Sequence, residues 1–338
     1  MVLGSSPPPE GGGSARLDPI VVDQEMDAAG AGDYHLQGTF SVTSSVFAYR
    51  VENGRTYHRY RDGSYYLPND EPERERLDII HHLYLLLLDG KLFLAPITYP
   101  KRVLDLGCGT GIWGIAMADR YEHAEITGVD LSPIQPPEVP PNFFAQVDDV
   151  ESDWTFRDNY FDFIFSRHLA QSIRDWQRYL MQMFRHCTPG GYIELSEHAL
   201  DLHSDDGSYH DGLALWRYMM LLCEAERKAG LDPGICQQLG GLVRRAGFVD
   251  VRVTVRKLPW APWPKEPKLK ELGQWSLLSL STRALDAYAM ALFTRHFGMP
   301  AEEVKELCDA AEREVWNKKV HVYQLHYVVT ARKPVASP

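Results

Sequence analysis

Three glycines occupy every second position in one short segment, VLDLGCGTG over residues 103–111, at Gly107, Gly109 and Gly111. The segment has the pattern of a strand that ends in a turn, and residues 111–121 continue with the pattern of a helix. Glycine has no Cβ, so such a turn can adopt positive φ and bring its backbone against a ligand. Free N–H groups at the start of the helix attract negatively charged groups. The segment therefore predicts a ligand-binding turn, and two classes of ligand use this arrangement.

Carboxylates at the ends of three successive predicted strands favour one of these classes. Asp105 lies just before the glycines, Asp130 follows it by 25 positions, and Asp149 ends the third strand. We expect Asp105 to receive the cationic amino group of an amino acid and Asp130 to accept both hydroxyls of a ribose. We expect Asp149 to bond the amino group of an adenine, beside the backbone N–H of Val150. The pattern predicts a site for S-adenosylmethionine.

A dinucleotide is the alternative ligand. The same segment contains one match to G-x-G-x-x-G, at Gly109, Gly111 and Gly114. A pyrophosphate would be repelled by Asp105, whereas a cationic aminocarboxylate would not. An oxidoreductase that uses a dinucleotide is therefore the less favoured hypothesis.

Methyl transfer is an in-line displacement, in which the cofactor carries the reactivity and the protein positions the reactants. A general base is needed only where the acceptor must lose a proton. We place three candidate bases at the ends of the fourth and fifth predicted strands: His168, Glu197 and His198. His168 could instead cap the next segment. Glu197 could instead pair with Arg167, which we expect to hold the cofactor pocket together.

Aromatic and histidine residues ahead of the glycine turn are candidates for closing over the cofactor. Tyr57 and Tyr60 lie in the segment RTYHRY, and packing against the sheet edge is the alternative for both. His81 and His82 are adjacent on a predicted helix, so they point in different directions and do not suit a shared metal. One of the two could reach the carboxylate of the cofactor, and we assign this contact to His82.

Strands and helices alternate along the chain from about residue 100. The apolar runs predict seven strands, over 102–106, 124–131, 142–149, 160–167, 192–199, 249–258 and 321–333. Further patterns predict helices over 72–88, 111–121, 174–187 and 208–229, and one that begins at Asp232-Pro233. This order is typical of an α/β fold, an open and mostly parallel sheet with helices on both faces.

The chain divides into parts with different patterns. We predict a disordered tail (1–36), a cap over the cofactor site (37–99), a cofactor-binding core (100–258), a helical lid insertion (259–320) and a final strand with its tail (321–338). The cap contains turn signals at Asn53-Gly54 and Asp62-Gly63. The insertion contains two apolar helical patterns, and the helix over 208–229 joins it in the lid.

Three tryptophans are candidates for walls of the site. Trp260 and Trp263 in the segment WAPWP could line an apolar acceptor pocket or could simply hold the insertion in place. Trp154 could flank the adenine.

Composition restricts the partner and the compartment. The net charge is −11, from 35 basic and 46 acidic residues, which argues against non-specific nucleic-acid binding. Five cysteines without paired spacing indicate reduced thiols in the cytosol or nucleus and no zinc site. The first residues lack the pattern of a secretory signal. The most apolar run, 83–97, is broken by Asp89 and Lys91 and is too short to span a bilayer, so we expect no membrane partner.

Together these motifs resemble the class I S-adenosylmethionine-dependent methyltransferases. VLDLGCGTG matches their first motif, GVDLSP (128–133) the second, and FDFIFSRH (161–168) with TPGGYIE (188–194) the later ones. The resemblance covers about residues 100–258 and implies a Rossmann-like fold with a seven-stranded sheet. It extends the expected cofactor contacts to residues beside the motif positions, namely Cys108, Leu131, Glu151 and Ser166.

A narrower resemblance extends from about residue 40 to the end of the chain. The segments 53–97, DVESDWTF (149–156), SIRDW (172–176) and HVYQLHYVVTARKP (321–334) are similar to the LaeA-like methyltransferases of filamentous fungi. This implies a role in secondary metabolism. The leading hypothesis is a methyltransferase for a small molecule. The alternative is a regulator that binds velvet-type proteins, and the lack of a basic cluster typical of a nuclear address weakens it.

Overall fold

A computed structural model describes residues 17, 18, 20, 49–58 and 65–335. Three expectations fall outside this range: the cofactor contact of Tyr60, the turn at Asp62-Gly63 and the state of most of the tail 1–36. Within the described residues, no helix has the length and apolarity that crossing a membrane requires.

A hairpin and a helix precede the main sheet. Strands β1 (Arg50–Glu52) and β2 (Arg55–Tyr57) pair antiparallel through the predicted Asn53-Gly54 turn, whose φ angles are 50° and 75°. Two consecutive positive φ angles give this turn the twist that paired strands need. Helix α1 (Glu71–Leu87) begins close to the predicted position because Asp70 caps it, accepting a backbone hydrogen bond from its first turn at 3.2 Å.

The main sheet has seven strands. In chain order they are β3 (Arg102–Leu106), β4 (Glu125–Asp130), β5 (Phe143–Val147), β6 (Phe161–Arg167), β7 (Cys187–His203), β8 (Val249–Pro259) and β9 (Tyr323–Arg332). Their order across the sheet is β5-β4-β3-β6-β7-β9-β8, and β9 runs antiparallel to both of its neighbours. The chain moves outwards from β3 to β5 and returns to β6 on the other side of β3. The carboxyl ends of β3 and β6 therefore border a crevice, and the predicted fold class is confirmed.

Helices cover both faces of this sheet. After α1 they are α2 (Ile112–Arg120), α3 (Trp176–His186), α4 (Ala214–Lys228), α5 (Ile235–Arg245), α6 (Pro267–Ser281), α7 (Ala284–Phe297) and α8 (Ala301–Val315). On one face Trp113 of α2 stacks on Phe165 with a centroid distance of 3.9 Å. On the other face Leu180 of α3 and Leu239 of α5 are completely buried.

Four helices, α4, α6, α7 and α8, lie beyond the carboxyl ends of the strands where the sequence predicted a lid, and we use that name for them. Helices α4, α6, α7 and α8 share a core cluster with the extended ends of β7 and β9. The insertion over 259–320 contains three helices, whereas the sequence predicted two. The chain breaks between α6 and α7 at Arg283 and between α7 and α8 at Gly298, and φ is 64° at both residues.

Three element boundaries also differ from the prediction. Helix α4 begins at Ala214 and not at 208, because Asp206 accepts a backbone hydrogen bond from Ser208 at 3.0 Å in a preceding turn. Helix α5 begins after Asp232-Pro233, because Asp232 accepts the N–H of Gly234 at 2.9 Å in another turn. Strand β7 has 17 residues and extends beyond the predicted 192–199 on both sides.

Candidate active site

A pocket lies at the crevice beside the carboxyl ends of β3 and β6. Its empty space, including the open mouth, is about 1080 Å³. The loops that follow β3, β4, β5 and β6 all contribute to its wall. Nine of the predicted cofactor residues lie in this wall: Gly107, Cys108, Gly109, Asp130, Leu131, Asp149, Val150, Glu151 and Arg167. The fold thus brings most of the predicted set to one place, and their contact with the cofactor stays a prediction.

The glycine turn has the backbone expected of a cradle for a ligand. The φ angles are 68° at Gly107, 55° at Gly109 and 79° at Gly111. A Cβ on Gly107 would lie 2.7 Å from the side chain of Leu169, so a larger residue there would require Leu169 to move. Gly111 lies outside the pocket wall, and a Cβ there would face Phe143 at 3.2 Å. This position conflicts with the predicted cofactor contact of Gly111, which instead occupies the N-cap position of α2.

The Asp130 carboxylate joins the glycine turn to the end of β4. Its Oδ2 accepts the N–H of Gly109 at 2.8 Å, and its Oδ1 accepts the N–H of Ser132 at 2.9 Å. A carboxylate has about four lone-pair sites, so acceptor capacity remains for a hydroxyl group. Burial raises the pKa of Asp130, and backbone hydrogen bonds from Ser132, Gly109 and Leu131 oppose the rise. The carboxylate is therefore held at the pocket wall with acceptor capacity to spare.

The loop after β5 is ordered by its own acidic residues. Asp149 accepts the N–H of Glu151 at 2.9 Å, and Glu151 forms an ion pair with Arg174 at 2.8 Å. Trp154 lies outside the pocket wall and donates its indole N–H to the carbonyl of Val150 at 2.9 Å. Trp154 thus supports the loop from behind, which conflicts with its predicted place beside the adenine.

Asp105 lies behind the pocket and not in its wall. Its side chain is 3% exposed, and its Oδ2 has no hydrogen-bond partner among the described residues. Burial raises the pKa of Asp105 to about 7, and the guanidinium of Arg167 opposes this rise. The predicted direct contact with the cofactor conflicts with this position, because the alternation along β3 places Asp105 on the same face as the buried Val103.

His81, and not His82, contacts a residue of the pocket wall. His81 is buried, and its Nδ1 lies 3.2 Å from the guanidinium of Arg167. Burial, with a contribution from Arg167, lowers the pKa of His81 to about 3, so its neutral ring can accept from the guanidinium. His82 is exposed and its ring lies 4.1 Å from that of Trp275. His82 lies outside the walls of both cavities because one step along a helix turns a side chain by about 100°, and its contact with the cofactor stays a prediction.

Two further predicted contacts lie away from the pocket. Tyr57 is buried, and its ring lies 5.6 Å from the guanidinium of Arg295. This is the packing alternative. Ser166 is buried and accepts a hydrogen bond from the hydroxyl of Tyr179 at 3.0 Å. Ser166 points away because neighbouring residues on β6 face opposite sides of the sheet, and Arg167 takes the side of the pocket.

Two of the three candidate bases belong to one hydrogen-bonded chain. The Nε2 of His168 lies 2.6 Å from the hydroxyl of Tyr288, and its Nδ1 lies 3.0 Å from the hydroxyl of Tyr84. Tyr84 also contacts the Nδ1 of His198 at 3.3 Å. Burial lowers the pKa of His168 well below its usual range and that of His198 to about 4. Both rings are therefore neutral near pH 7.

Glu197 lies outside both the pocket and this chain of side chains. It is completely buried, and its Oε2 accepts the N–H groups of Leu169 and Ala170, each at 2.8 Å. Burial raises the pKa of Glu197 to about 8. Its predicted role as a base conflicts with this position, because the carboxyl instead supports the loop that follows β6.

A second cavity lies under the lid and adjoins the first. Its empty space is about 660 Å³ including its opening. Both cavities are lined by Ile80 and His168. Trp260 lines the second cavity, whereas Trp263 is buried outside it and donates to the carbonyl of Val322 at 3.2 Å. A role of Trp260 in an acceptor pocket stays a prediction. Two adjoining cavities with a shared wall suit a two-substrate reaction.

Sequence reasoning missed one wall of the first pocket. Glu73, Leu77 and Ile80 of α1 line it. They recur at helical spacing, and the apolar members of this stripe indicate the core face of a helix when only the sequence is known. The charged Glu73 within the stripe is the one signal that could have indicated a cavity there.

Known proteins are similar to this chain over most of its length. Residues 79–253 match the family described as methyltransferase domain. Methyltransferase pytC of Aspergillus terreus is 41% identical over 324 residues, which cover 95% of this chain and 98% of that protein. Secondary metabolism regulator LAE1 of Cochliobolus heterostrophus is 37% identical, with coverages of 84% and 94%. Protein-methionine methyltransferase laeA of Emericella nidulans is 34% identical, with coverages of 90% and 82%.

The first pocket fits the cofactor of such enzymes. The backbone of Gly107 and Gly109 forms part of its wall, and the Asp130 carboxylate beside it has unused acceptor capacity. The aligned relatives extend over the sheet and the lid as well as the pocket. This chain belongs to the class I S-adenosylmethionine-dependent methyltransferases, within the LaeA-like group of filamentous fungi.

Proposed function

We propose that this enzyme methylates a small molecule of fungal secondary metabolism, and that the acceptor lies in the second cavity. The main observation in support is the position of that cavity, which adjoins the cofactor pocket at Ile80 and His168. An acceptor there would need no opening of the sheet to reach the cofactor. The likeness to pytC, a relative named a methyltransferase, agrees with this proposal.

The residues around the first pocket divide the cofactor between them in this proposal. Asp130 accepts the ribose hydroxyls, Asp149 and Val150 bond the adenine, and the backbone at Gly107 and Gly109 lies against the aminocarboxylate. S-adenosylmethionine would supply a methyl group bound to a positively charged sulfur, and the sulfur is the leaving group when the methyl group passes to the acceptor. The chain contributes binding, alignment of the two reactants and exclusion of water.

The lid provides the exclusion of water at the acceptor. The second cavity has walls from α1, α4, α6 and α7, so the lid and the cap helix enclose it together. His168 and His198 beside it have low pKa values, so each ring is neutral and carries a single N–H near pH 7. Both nitrogens of each ring have a hydrogen-bonding neighbour, so either ring would accept a proton from the acceptor only after one of these hydrogen bonds opens.

A regulatory role is the second candidate function, supported by the likeness to LAE1, a relative named a secondary metabolism regulator. In that case the chain would bind velvet-type partner proteins. Either role suits a reducing compartment, the cytosol or the nucleus, because all five cysteines are free thiols.

Labelled S-adenosylmethionine distinguishes the two roles. The purified chain is incubated with the labelled cofactor and either a small-molecule extract or a desalted protein extract of a fungus. We expect label in a small molecule. Label confined to the protein fraction, with velvet-type proteins recovered in a pull-down, would contradict the first proposal and favour the second.

A matched pair of variants on α4 tests the location of the acceptor. Leu222→Trp fills the second cavity, which Leu222 lines, and should abolish labelling while binding of S-adenosylhomocysteine is retained. Met220→Trp places the same side chain on the exposed face of α4 and should keep both properties. Full labelling by Leu222→Trp would show that the acceptor binds elsewhere.

A further inference from the structure

The second cavity has a mostly apolar wall built from both the core and the lid. Its aliphatic residues come from α1, α4, α6, α7 and the ends of β7 and β8, and they are Ile80, Leu83, Leu200, Met219, Leu222, Leu258, Leu280, Ala284 and Leu285. Among the described residues, no carboxylate lines this cavity and one permanently charged side chain does, Arg76. The wall therefore provides apolar contact and little charge.

The charge of Arg76 is already balanced. Its side chain is 1% exposed and forms a bidentate ion pair with Glu73, with Nη2 to Oε1 at 2.5 Å and Nε to Oε2 at 2.9 Å. An anionic ligand would have to compete with Glu73 for the guanidinium. A cationic ligand would meet no free carboxylate. Burial of an unpaired ion costs several kcal/mol, so the cavity disfavours both kinds of ligand.

The titratable groups around the cavity are uncharged as well. His168 and His198 are neutral near pH 7, because burial and neighbouring cations lower their pKa values. Glu226 lies behind the cavity near Tyr288, and burial raises the pKa of this carboxyl to about 8. Apart from the paired Arg76 and the guanidinium of Arg167, which lies in the wall of the first pocket, these groups add no charge that could balance an ionised ligand.

Tyr288 of α7 presents a hydroxyl where the lid meets the wall shared by both cavities. Its oxygen lies 2.6 Å from His168 Nε2 and 3.4 Å from Arg76 Nη1. A guanidinium can only donate, so Tyr288 accepts from Arg76. The amide nitrogen of Gln171 lies 3.3 Å from His198 Nε2 and can only donate to it, so His198 donates from Nδ1 to Tyr84. Tyr84 then donates to His168 Nδ1, and His168 donates from Nε2 to Tyr288. The Tyr288 proton is then free to bond a ligand.

A second polar group in the wall also needs a ligand. The side chain of Ser276 on α6 is 6% exposed and lines the cavity. Its Oγ has no hydrogen-bond partner in the described parts of the chain. A buried hydroxyl left unpaired costs about 1–3 kcal/mol, so this position favours a ligand with an oxygen of its own.

We propose that the acceptor is an uncharged, largely apolar molecule with oxygen substituents, one of which accepts a hydrogen bond from Tyr288 where the two cavities meet. This inference rests on the proposed function, since it takes the second cavity as the acceptor site. Tyr288 is a specificity-determining residue in this account. The lid selects the acceptor by charge, and the tyrosine hydroxyl orients it.

Three probes with the same ring system and different charge test this proposal. Calorimetry measures their binding to the full chain saturated with S-adenosylhomocysteine. The probes are naphthalen-2-ylmethanol, naphthalene-2-carboxylate and naphthalen-2-ylmethylammonium. We expect the alcohol to bind at least about tenfold more tightly than either ion, because an unpaired ion is costly to bury. Equal or tighter binding of an ion, or binding of none of the three, would overturn the proposal.

Tyr288→Phe tests the hydrogen bond. It should weaken binding of the alcohol by about fivefold, as expected for one lost hydrogen bond, and leave the ions unchanged. Tyr160→Phe, at the far end of β6 from both cavities, is the control and should have no effect. An unchanged affinity in Tyr288→Phe would remove Tyr288 from the account. The labelling experiment above is independent, since an ionic small-molecule product there would overturn the acceptor class and keep the proposed function.

Discussion

Glu73 and Arg76 lie one turn apart on α1 and form a buried bidentate ion pair, yet their side chains line different cavities. Glu73 lies in the wall of the first pocket, and Arg76 lies in the wall of the second cavity beneath Tyr288. The pair therefore forms part of the partition between the two cavities. This partition has no net charge, so under the proposed function it disturbs neither the cationic cofactor nor a neutral acceptor.

Loss of one partner of this pair should destabilise the fold more than loss of both. Arg76→Met leaves the Glu73 carboxylate buried without its cation, which costs about 3–5 kcal/mol. The double variant Glu73→Gln, Arg76→Met leaves no buried charge and should recover most of that loss. Urea unfolding of the two variants and the wild type measures the difference. Equal free energies of unfolding for the single and double variants would contradict this account.

Asp130→Ala should weaken binding of S-adenosylhomocysteine. The variant loses the carboxylate assigned to the ribose, and hydrogen bonds to a charged group contribute about 1.5–3 kcal/mol, or roughly ten- to a hundredfold in affinity. Titration calorimetry provides the dissociation constants. Asp119→Ala, on the exposed face of α2, is the control and should bind as the wild type does. Wild-type affinity in Asp130→Ala would remove the ribose assignment.

The sequence predicted well those features that depend on short stretches of chain. Strand β3 has the predicted bounds, because an apolar run before a glycine turn needs no distant partner to be recognised. The nine predicted residues in the pocket wall follow from the same logic, since the ends of parallel strands meet at one edge of the sheet.

Features set by side-chain direction or by distant contacts could not be predicted in this way. His82 and Glu197 are near the site in sequence, but the phase of α1 and the packing of β7 turn them elsewhere. Tyr288 meets Arg76 across 212 positions of the chain, and no local pattern on α7 indicates this contact. The second cavity is formed by such contacts, so it was visible only in the folded chain.

Gly107→Ala should lower the stability of the fold more than Gly207→Ala does, although both glycines have positive φ. Gly107 and Gly207 have φ angles of 68° and 75°, so each substitution carries a backbone cost of about 1–2 kcal/mol. A Cβ at Gly107 would also approach Leu169 to 2.7 Å, whereas nothing lies within 4 Å of a Cβ at Gly207. We expect Gly107→Ala to lose additional stability and affinity for S-adenosylhomocysteine. Equal thermal stability and equal affinity in the two variants would show that the turn tolerates the methyl group.

Ionisation of the buried Glu194 should make the protein less stable as the pH rises. The carboxyl is completely buried on β7 and accepts the N–H groups of Leu94 and Ala95, each at 2.7 Å. Burial raises its pKa from the ordinary 4.5 to about 8, partly opposed by those hydrogen bonds and by Arg167. The folded state therefore holds this proton more tightly than the unfolded state. The contribution of protonated Glu194 to stability is complete below about pH 4.5 and is lost as the pH rises through about 8.

Glu194→Gln should reduce this pH dependence, because the amide cannot ionise and its oxygen can still accept both backbone hydrogen bonds. We expect the melting temperature of the variant to exceed that of the wild type at about pH 8.5 and to fall less between about pH 5 and 8.5. Some pH dependence should remain, since burial also raises the pKa of Glu197 to about 8. Glu122→Gln, on the surface, is the control. Parallel curves for Glu194→Gln and the wild type would mean that Glu194 binds no additional proton in the folded state.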